Sequence, residues 1–294
     1  MSTSTGATLL RPEPGPETLK TTRWGGHRLA ALRLPSHQGK TQIGESWEFS
    51  TLPGRVSRAQ NMPLDELLGA PLPFLAKLID TALPLSLQVH PADTADTPGK
   101  EEAWMILDAE PDAHLWAGLA RGVTLPEFAE TAARARETKK QEAALFSLLR
   151  AIPARPGTVI LVPAGTIHAI GGGVLLAEIQ QPSDCTFRLY DYGSGRALHI
   201  DDAIATIQAD AIPQIWTPEQ TPQRLSGEHL DLEILSTGQH LLTPANEPRL
   251  VVSIRGSSQI ANQTLVKGDL GLLLPGAATL RVETDSITLL GSCR

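Results

Sequence analysis

Between Leu83 and Asp93 the chain reads L-P-L-S-L-Q-V-H-P-A-D, and its core alternates Leu85, Leu87 and Val89 with Ser86, Gln88 and His90. Successive side chains of a strand point to opposite faces. One face of this segment is therefore wholly apolar, while the other carries a hydroxyl, an amide and an imidazole in a row. A strand facing bulk water more often shows charged residues or Thr. An uncharged polar row bracketed by Pro84 and Pro91 suits the inside of a barrel near its mouth, where such groups can meet a metal or a ligand. The plainer alternative is a half-buried strand whose histidine is satisfied by a neighbour. The choice depends on what other segments supply.

Three do so. Glu102 to Leu107 reads as a strand with Glu102, Trp104 and Ile106 on one face. A carboxylate at the start of an apolar strand is expensive to bury unless it is paired or bound to a cation; otherwise it marks a solvated strand end. Thr158 to Val162 reads as a buried strand, Pro163-Ala164-Gly165 as a turn, and Thr166 to Ile170 as a further strand carrying His168. Val174 to Gln180 alternates Leu176, Glu178 and Gln180 against Leu175, Ala177 and Ile179. After Gln181-Pro182-Ser183-Asp184 comes a strand with Thr186, Arg188 and Tyr190 opposite Phe187 and Leu189. Glu178 and Arg188 read either as a salt bridge between adjacent strands or as site groups. Lys77, inside the apolar run Phe74 to Ile79, reads as a snorkelling lysine or as a cation held near an anionic site.

Elsewhere Leu29 to Leu34 is predicted as a short strand and Leu64 to Leu68 as a helix. Gly44 to Ser50 is predicted as a strand with Glu45, Trp47 and Phe49 on one face. Thr124-Leu125-Pro126-Glu127 has capping-box spacing with Pro in the first turn, and Thr138 to Gln141 repeats that spacing. Two short helices, about 125–135 and 139–150, are predicted as an insertion at about 124–150, with Arg134, Arg136, Lys139 and Lys140 on a solvated face. From about 214 the chain turns to strands (Leu230 to Ser236, Leu250 to Ile254, Leu270 to Leu274, Thr279 to Glu283, Ile287 to Leu289). Lys267-Gly268 to Pro275-Gly276 loosely echoes Pro156-Gly157 to Gly165. That is a hint of a duplicated barrel whose second copy, without the Q-x-H strand, is expected to be metal-free and structural.

At 294 residues the chain can bury roughly 75% of its unfolded surface. Its 25 Gly and 23 Pro, with few segments of helical period, favour a β-rich protein. A net charge of −7 argues against nucleic acid or an anionic membrane as partner. Cys185 and Cys293 form neither a metal pair nor a disulfide framework, which fits a reducing cytoplasm. No signal peptide is expected at the N-terminus, and no apolar run approaches the length of a membrane span.

Gln88, His90, Glu102 and His168 together offer an amide oxygen, a carboxylate and two imidazoles. Two His and a carboxylate are a common catalytic zinc set, and mixed N/O donors also accept Mn, Co, Fe or Ni. The stretches G-E-S-W-E at 44–48, L-S-L-Q-V-H-P-A-D at 85–93, G-K-E-E-A-W-M-I-L-D-A-E-P at 99–111, V-P-A-G-T-I-H-A-I-G at 162–171 and A-E-I-Q-Q-P-S-D-C-T-F-R-L-Y-D-Y-G at 177–193 resemble, in order, class I mannose-6-phosphate isomerase (phosphomannose isomerase) in its short bacterial form. The resemblance runs from Trp24 to about His199; the tail matches only in β character.

It implies a mainly β fold. A cupin jelly-roll barrel with a small helical insertion would fill a catalytic domain at 1–213, and a second, smaller cupin-like barrel would fill a structural domain at 214–294. It implies one Zn2+ per chain on Gln88, His90, Glu102 and His168, with Lys100, Glu178, Asp184 and Arg188 as catalytic positions and Ser86, Lys100 and Arg188 facing the substrate. The implied reaction interconverts D-mannose 6-phosphate and D-fructose 6-phosphate through a cis-enediol. Zinc would act as Lewis acid, Arg188 would stabilise the enediolate or phosphate, and Glu178 or Asp184 would carry the proton. A monomer or weak homodimer is expected. The chain departs from the family pattern at Glu101, where Thr or Pro is usual, near Ala103, and at Pro182, where Asn is usual. Two other classes use similar residues. An iron dioxygenase or other metal-cupin enzyme would favour a two-His-one-carboxylate triad with open positions, and here Gln88 fills one. A non-catalytic cupin would lack a ligand or the arginine, and here each is present.

Overall fold

The alternating segments assemble into layers. A computed structural model describes residues 6–34, 41–135 and 138–294. A seven-stranded antiparallel sheet runs in the order Gln214–Trp216, Val159–Val162, Glu102–Ala109, Val174–Gln180, Leu75–Asp80, Glu45–Phe49, Leu19–Lys20. A five-stranded sheet faces it, ordered Leu149–Pro153, His114–Leu119, His168–Ile170, Leu87–Val89, Phe187–Tyr190. Between them lies an apolar plug of Trp24, Ile79, Trp104, Ile106, Leu115, Ile170 and Leu176, closing one end of a barrel. The even-numbered positions Leu176, Glu178 and Gln180 thus turn inward, as their alternation predicts. The odd set, Leu175, Ala177 and Ile179, packs outward with Ala103 and Met105 against Leu232, Leu250, Val252 and Leu289 of a third, eight-stranded sheet. That third sheet has its own far face, filled by Leu9, Val251, Leu265, Leu280 and Leu290. On the opposite side of the molecule, Leu87, Val89, Ala169 and Leu189 pack under Phe128, Ala132, Leu145 and Ala203 of three short helices.

Two of those helices are the expected insertion. Thr124 and Thr138 cap them, each hydroxyl accepting from the backbone N–H three residues on, Glu127 and Gln141. They span Leu125–Arg134 and Lys139–Ser147, and Arg136 lies outside the described residues. The second helix ends earlier than its sequence suggests, because Leu149–Pro153 leaves it to pair with His114–Leu119.

Three local expectations are corrected. Leu29 to Leu34 is not a strand: Arg28–Arg33 is helical. Its N-terminus is capped from 52 residues away by Asp80, whose Oδ2 accepts from Arg28 N at 2.7 Å while Oδ1 pairs with the Arg28 guanidinium at 2.7 Å. Phe49 does not share a face with Trp47. A register shift between them pairs Trp47 with Lys77 but Phe49 with Ala76, which sends Phe49 to the outer core. Tyr190 likewise leaves the Arg188 face, since a shift pairs Arg188 with Gln88 but Tyr190 with Leu87. Its hydroxyl donates to Glu142 on the second insertion helix at 2.5 Å.

In the tail, Thr279 to Glu283 and Ile287 to Leu289 belong to one long strand, Ala278–Cys293, paired along most of its length with Leu230–Leu242. Two strands exchange across position 213/214. Leu9–Leu10 joins the third sheet beside Leu270–Leu273, and Gln214–Trp216 joins the first beside Val159–Val162. No helix among the described residues is long and apolar enough to cross a membrane.

Candidate metal centre and its surroundings

Adjacent strands bring the polar row together. Gln88 is the Cα partner of both His168 and Arg188, and Glu102 that of Gln180 and Val162. His90 follows directly after Leu87–Val89. His168 begins its strand three residues beyond Gly165, whose φ of +77° makes the turn after Pro163. His90, Glu102 and His168 are each at most 2% exposed, and their ligand atoms all lie within 4.8 Å of one another.

Hydrogen bonds fix the chemistry of the two imidazoles. His90 donates from Nδ1 to the Cys185 carbonyl at 2.9 Å, and His168 from Nδ1 to the Thr166 carbonyl at 2.9 Å. A carbonyl only accepts, so each ring carries its proton on Nδ1 and turns an Nε2 lone pair inward. Burial, joined by the nearby Lys100 ammonium, pulls His90 down to about 3, and burial lowers His168 as well. Both rings are therefore neutral donors near pH 7. Glu102 runs the other way. Burial alone would raise it, but the Lys100 ammonium in contact with it holds its carboxyl well below the usual range.

His90 Nε2 lies 3.5 Å from Glu102 Oε2, and His168 Nε2 lies 3.3 Å from Glu102 Oε1. Ligands about 2.1 Å from a tetrahedral ion are roughly 3.4 Å apart, so these separations suit a metal. The Gln88 amide nitrogen sits 3.3 Å from His168 Nε2, and Ser86 Oγ donates to Gln88 Oε1 at 3.0 Å. Turning the amide over exchanges these atoms and brings its oxygen to the imidazoles, with its N–H₂ toward Ser86. The group is able to hold a metal ion. Its demand for positive charge is met in the structure by Lys100, whose Nζ is 2.6 Å from Glu102 Oε2 and 2.9 Å from His90 Nε2.

A second charged cluster flanks the first. Glu178 does not pair with Arg188. Its Oε1 is 3.2 Å from Lys77 Nζ, which also donates to Gln180 Oε1 at 2.6 Å. Lys77 is buried and so does not snorkel; the second reading of that residue holds. Burial alone would lower Lys77, yet Glu178 and Glu45 outweigh it and raise its pKa. Burial raises Glu178, with Lys77 pulling against it. Trp47 lies under three cations, with Lys20, Lys77 and Arg55 at 4.2, 5.0 and 5.4 Å from its ring. The G-E-S-W-E motif marked this strand, but nothing in it reveals the cations, which arrive from three other segments. The Cys185 and Thr166 carbonyls escaped sequence reasoning for a simpler reason: a backbone acceptor has no residue signature.

Arg188 has no side-chain hydrogen bond or ion pair among the described residues, and its Nε is buried without a partner. Ser86 is buried on the Gln88 face. Asp184 is exposed, on a loop next to Cys185, and is near enough to buried Lys77 to help raise its pKa. A cavity of about 510 Å³ opens at the Pro84 end of the same strand, among Trp24, Leu83, Tyr192, Arg23 and Arg196.

No family model matches the chain. Mannose-6-phosphate isomerase ManA of Bacillus subtilis is 32% identical over 302 residues, which cover 88% of this chain and 92% of that protein. The crystal structure of the mannose 6-phosphate isomerase from Bacillus subtilis superposes with a TM-score of 0.73 at 24% identity, over 98% of this chain and 99% of that one. A zinc-bound mannose 6-phosphate isomerase structure superposes with a TM-score of 0.69 at 14% identity, over 98% of this chain and all of that one. These superpositions establish the cupin fold. Sequence identity of this extent, carried along nearly the whole of both proteins, makes the chain a member of the mannose-6-phosphate isomerase family.

Proposed function

We propose that the chain interconverts D-mannose 6-phosphate and D-fructose 6-phosphate, with one Zn2+ held by Gln88, His90, Glu102 and His168. The observation that carries this reading is the convergence of two Nδ1-protonated imidazoles on one buried carboxylate at metal-like separations. The reaction moves a proton between C2 and C1 through a cis-enediol. When bound, zinc supplies Lewis acidity to the sugar oxygens.

The remaining work falls to the chain. Glu178 takes and returns the proton: it is buried on the inward face, its pKa is raised, and Lys77 keeps enough of it ionised to act as base. Asp184, assigned a catalytic place by family resemblance, adds to the field at Lys77 from its exposed loop. Arg188, without a side-chain partner among the described residues, steadies negative charge on the enediolate or phosphate. Lys100, which sits beside the ligand carboxylate of Glu102, would offer its ammonium to the phosphate, and Ser86 orients Gln88. The apolar plug around Trp104 closes that end of the barrel to bulk water.

We assign residues 1–213 to the catalytic domain and 214–294 to a structural barrel, with Leu9–Leu10 and Gln214–Trp216 as exchanged strands. Free Cys185 and Cys293 favour the cytoplasm, and a monomer or weak homodimer is our reading of the assembly. The test is a coupled assay of purified protein with mannose 6-phosphate, alongside metal analysis. Isomerisation abolished by chelator and restored by Zn2+ is expected. Activity indifferent to thorough metal removal would overturn the zinc assignment.

A further inference from the structure

Glu101 takes no part in the chemistry above, although it stands between Lys100 and Glu102. Its side chain is buried, at 3% exposure, and forms no ion pair among the described residues. Its charge is met instead by three backbone N–H groups of a single loop. Oε2 accepts from Glu228 N at 2.9 Å, and Oε1 accepts from His229 N at 3.1 Å and Leu230 N at 2.8 Å. Successive N–H groups aimed at one point make an anion-binding concavity, and here the anion is a side chain of the metal-binding sheet. Gly227 opens the loop, and a Cβ there would overlap the Glu101 carboxylate.

The backbone of Glu101 is held separately. Gln181 Oε1 accepts from Glu101 N at 2.8 Å, and Gln181 N donates to Glu101 O at 3.0 Å. Gln181 Nε2 donates to Asp93 Oδ1 at 2.9 Å, which also accepts from Gly99 N at 2.5 Å. The ring closes through Asp93 Oδ2, which lies 3.4 Å from His229 Nε2. Loop 227–230 leads into Leu230–Leu242 of the third sheet, so the contacts join that sheet to the turn that delivers Lys100 and Glu102. A carboxylate is costly to bury unless its hydrogen bonds are made. Glu101 is therefore at ease only while the loop is docked, and any rotation of residue 101 swings its neighbour Glu102.

We propose that Glu101 is a positioning residue: by gripping loop 227–230 it locks the turn at 99–102 and so aims Glu102 and Lys100 at the metal position. The proposal rests on Glu102 being a metal ligand. It makes the third sheet a working part of the site as well as a support.

The test uses the full chain with Zn2+ and with Co2+ as a coordination probe, in the variants E101A, E101Q and G227A. G227A strikes the same contact from the opposite side. The measurements are zinc affinity by chelator competition, the visible spectrum of the Co2+ form, kcat and KM of the metal-saturated enzyme, and circular dichroism. E101A and G227A are expected to weaken zinc binding at least tenfold, alter the Co2+ spectrum and lower kcat severalfold with KM within twofold. E101Q, which keeps one accepting oxygen, should fall between them and the parent. Folded E101A with zinc affinity within twofold of the parent and an unchanged Co2+ spectrum overturns the proposal, since mere loss of stability moves neither. Should E101A and G227A fail to fold, E101Q decides by the same thresholds. A parent that binds neither metal ion overturns the metal assignment itself, before any variant is compared.

Discussion

The Lys77 ammonium lies 3.2 Å from the Glu178 carboxylate inside the barrel, both side chains almost wholly out of solvent. An isolated charge at either position would be costly, so each conditions the protonation of the other. Replacing Lys77 by Met removes the influence that holds the Glu178 pKa down. A base must be deprotonated to act, so the acid limb of the kcat/KM profile moves to higher pH, and activity lost near neutrality returns as pH rises. A pH–rate profile of K77M that matches the parent's would detach Lys77 from the base.

Glu178→Gln keeps shape and metal while removing the base. Turnover should drop by about 10² to 10⁴, the usual weight of a general base, with zinc content unchanged. A rate within about twofold of the parent would remove Glu178 from the reaction.

His90→Ala deletes an inward-facing donor and introduces no charge of its own. Metal bound only to the folded state stabilises it by about 4 kcal/mol when present at a thousandfold its Kd. The parent should therefore melt higher with Zn2+ than with chelator, and the variant should lose that difference. Stoichiometric zinc in purified H90A would contradict the assignment.

The metal-free protein should lose stability in mild acid. The folded His90 pKa is depressed to about 3 and that of His168 is also lowered, so below about 6.5 the unfolded chain binds protons that the folded site refuses. The folded Glu102 pKa is lowered too, and acid removes its contribution in the same direction. Urea midpoints in chelator should fall as pH drops from about 6.5, and less steeply in H90Q. A parent midpoint flat down to pH 5 would refute the burial of neutral imidazoles.

Asp80 caps a helix and pairs with Arg28 from a wholly buried position. Asp80→Ala strands both groups and should cost about 2–4 kcal/mol in chemical denaturation. A loss under 1 kcal/mol would mean the helix is held by its apolar residues Leu29 and Ala30 alone.

What was legible in the sequence follows regular backbone. Gln88, His90, Glu102 and Glu178 lie on or at the ends of strands without a register shift between them and their apolar neighbours, so alternation assigned their faces correctly. Phe49 and Tyr190 follow shifts, and one displaced residue inverts every face beyond it. The helix at Arg28 was illegible because its cap is tertiary: L-A-A-L alternates no worse than a short strand, and Asp80 decides the matter from a distance. Lys77 carried both readings in sequence, since only its partners on two neighbouring strands tell a paired lysine from a snorkelling one.

Both site imidazoles are oriented by peptide oxygens, those of residues 166 and 185. Every amino acid brings such an oxygen. Side-chain replacements at those two positions therefore leave the tautomers intact, whereas an oriented aspartate could be erased by one codon change. Only events that redirect the main chain, such as a proline or a deletion in 164–166 or 183–185, would spoil the aim. Mutational scans should find positions 166 and 185 more tolerant of replacement than Gly165, whose φ of +77° makes the turn, and both loops strict in length.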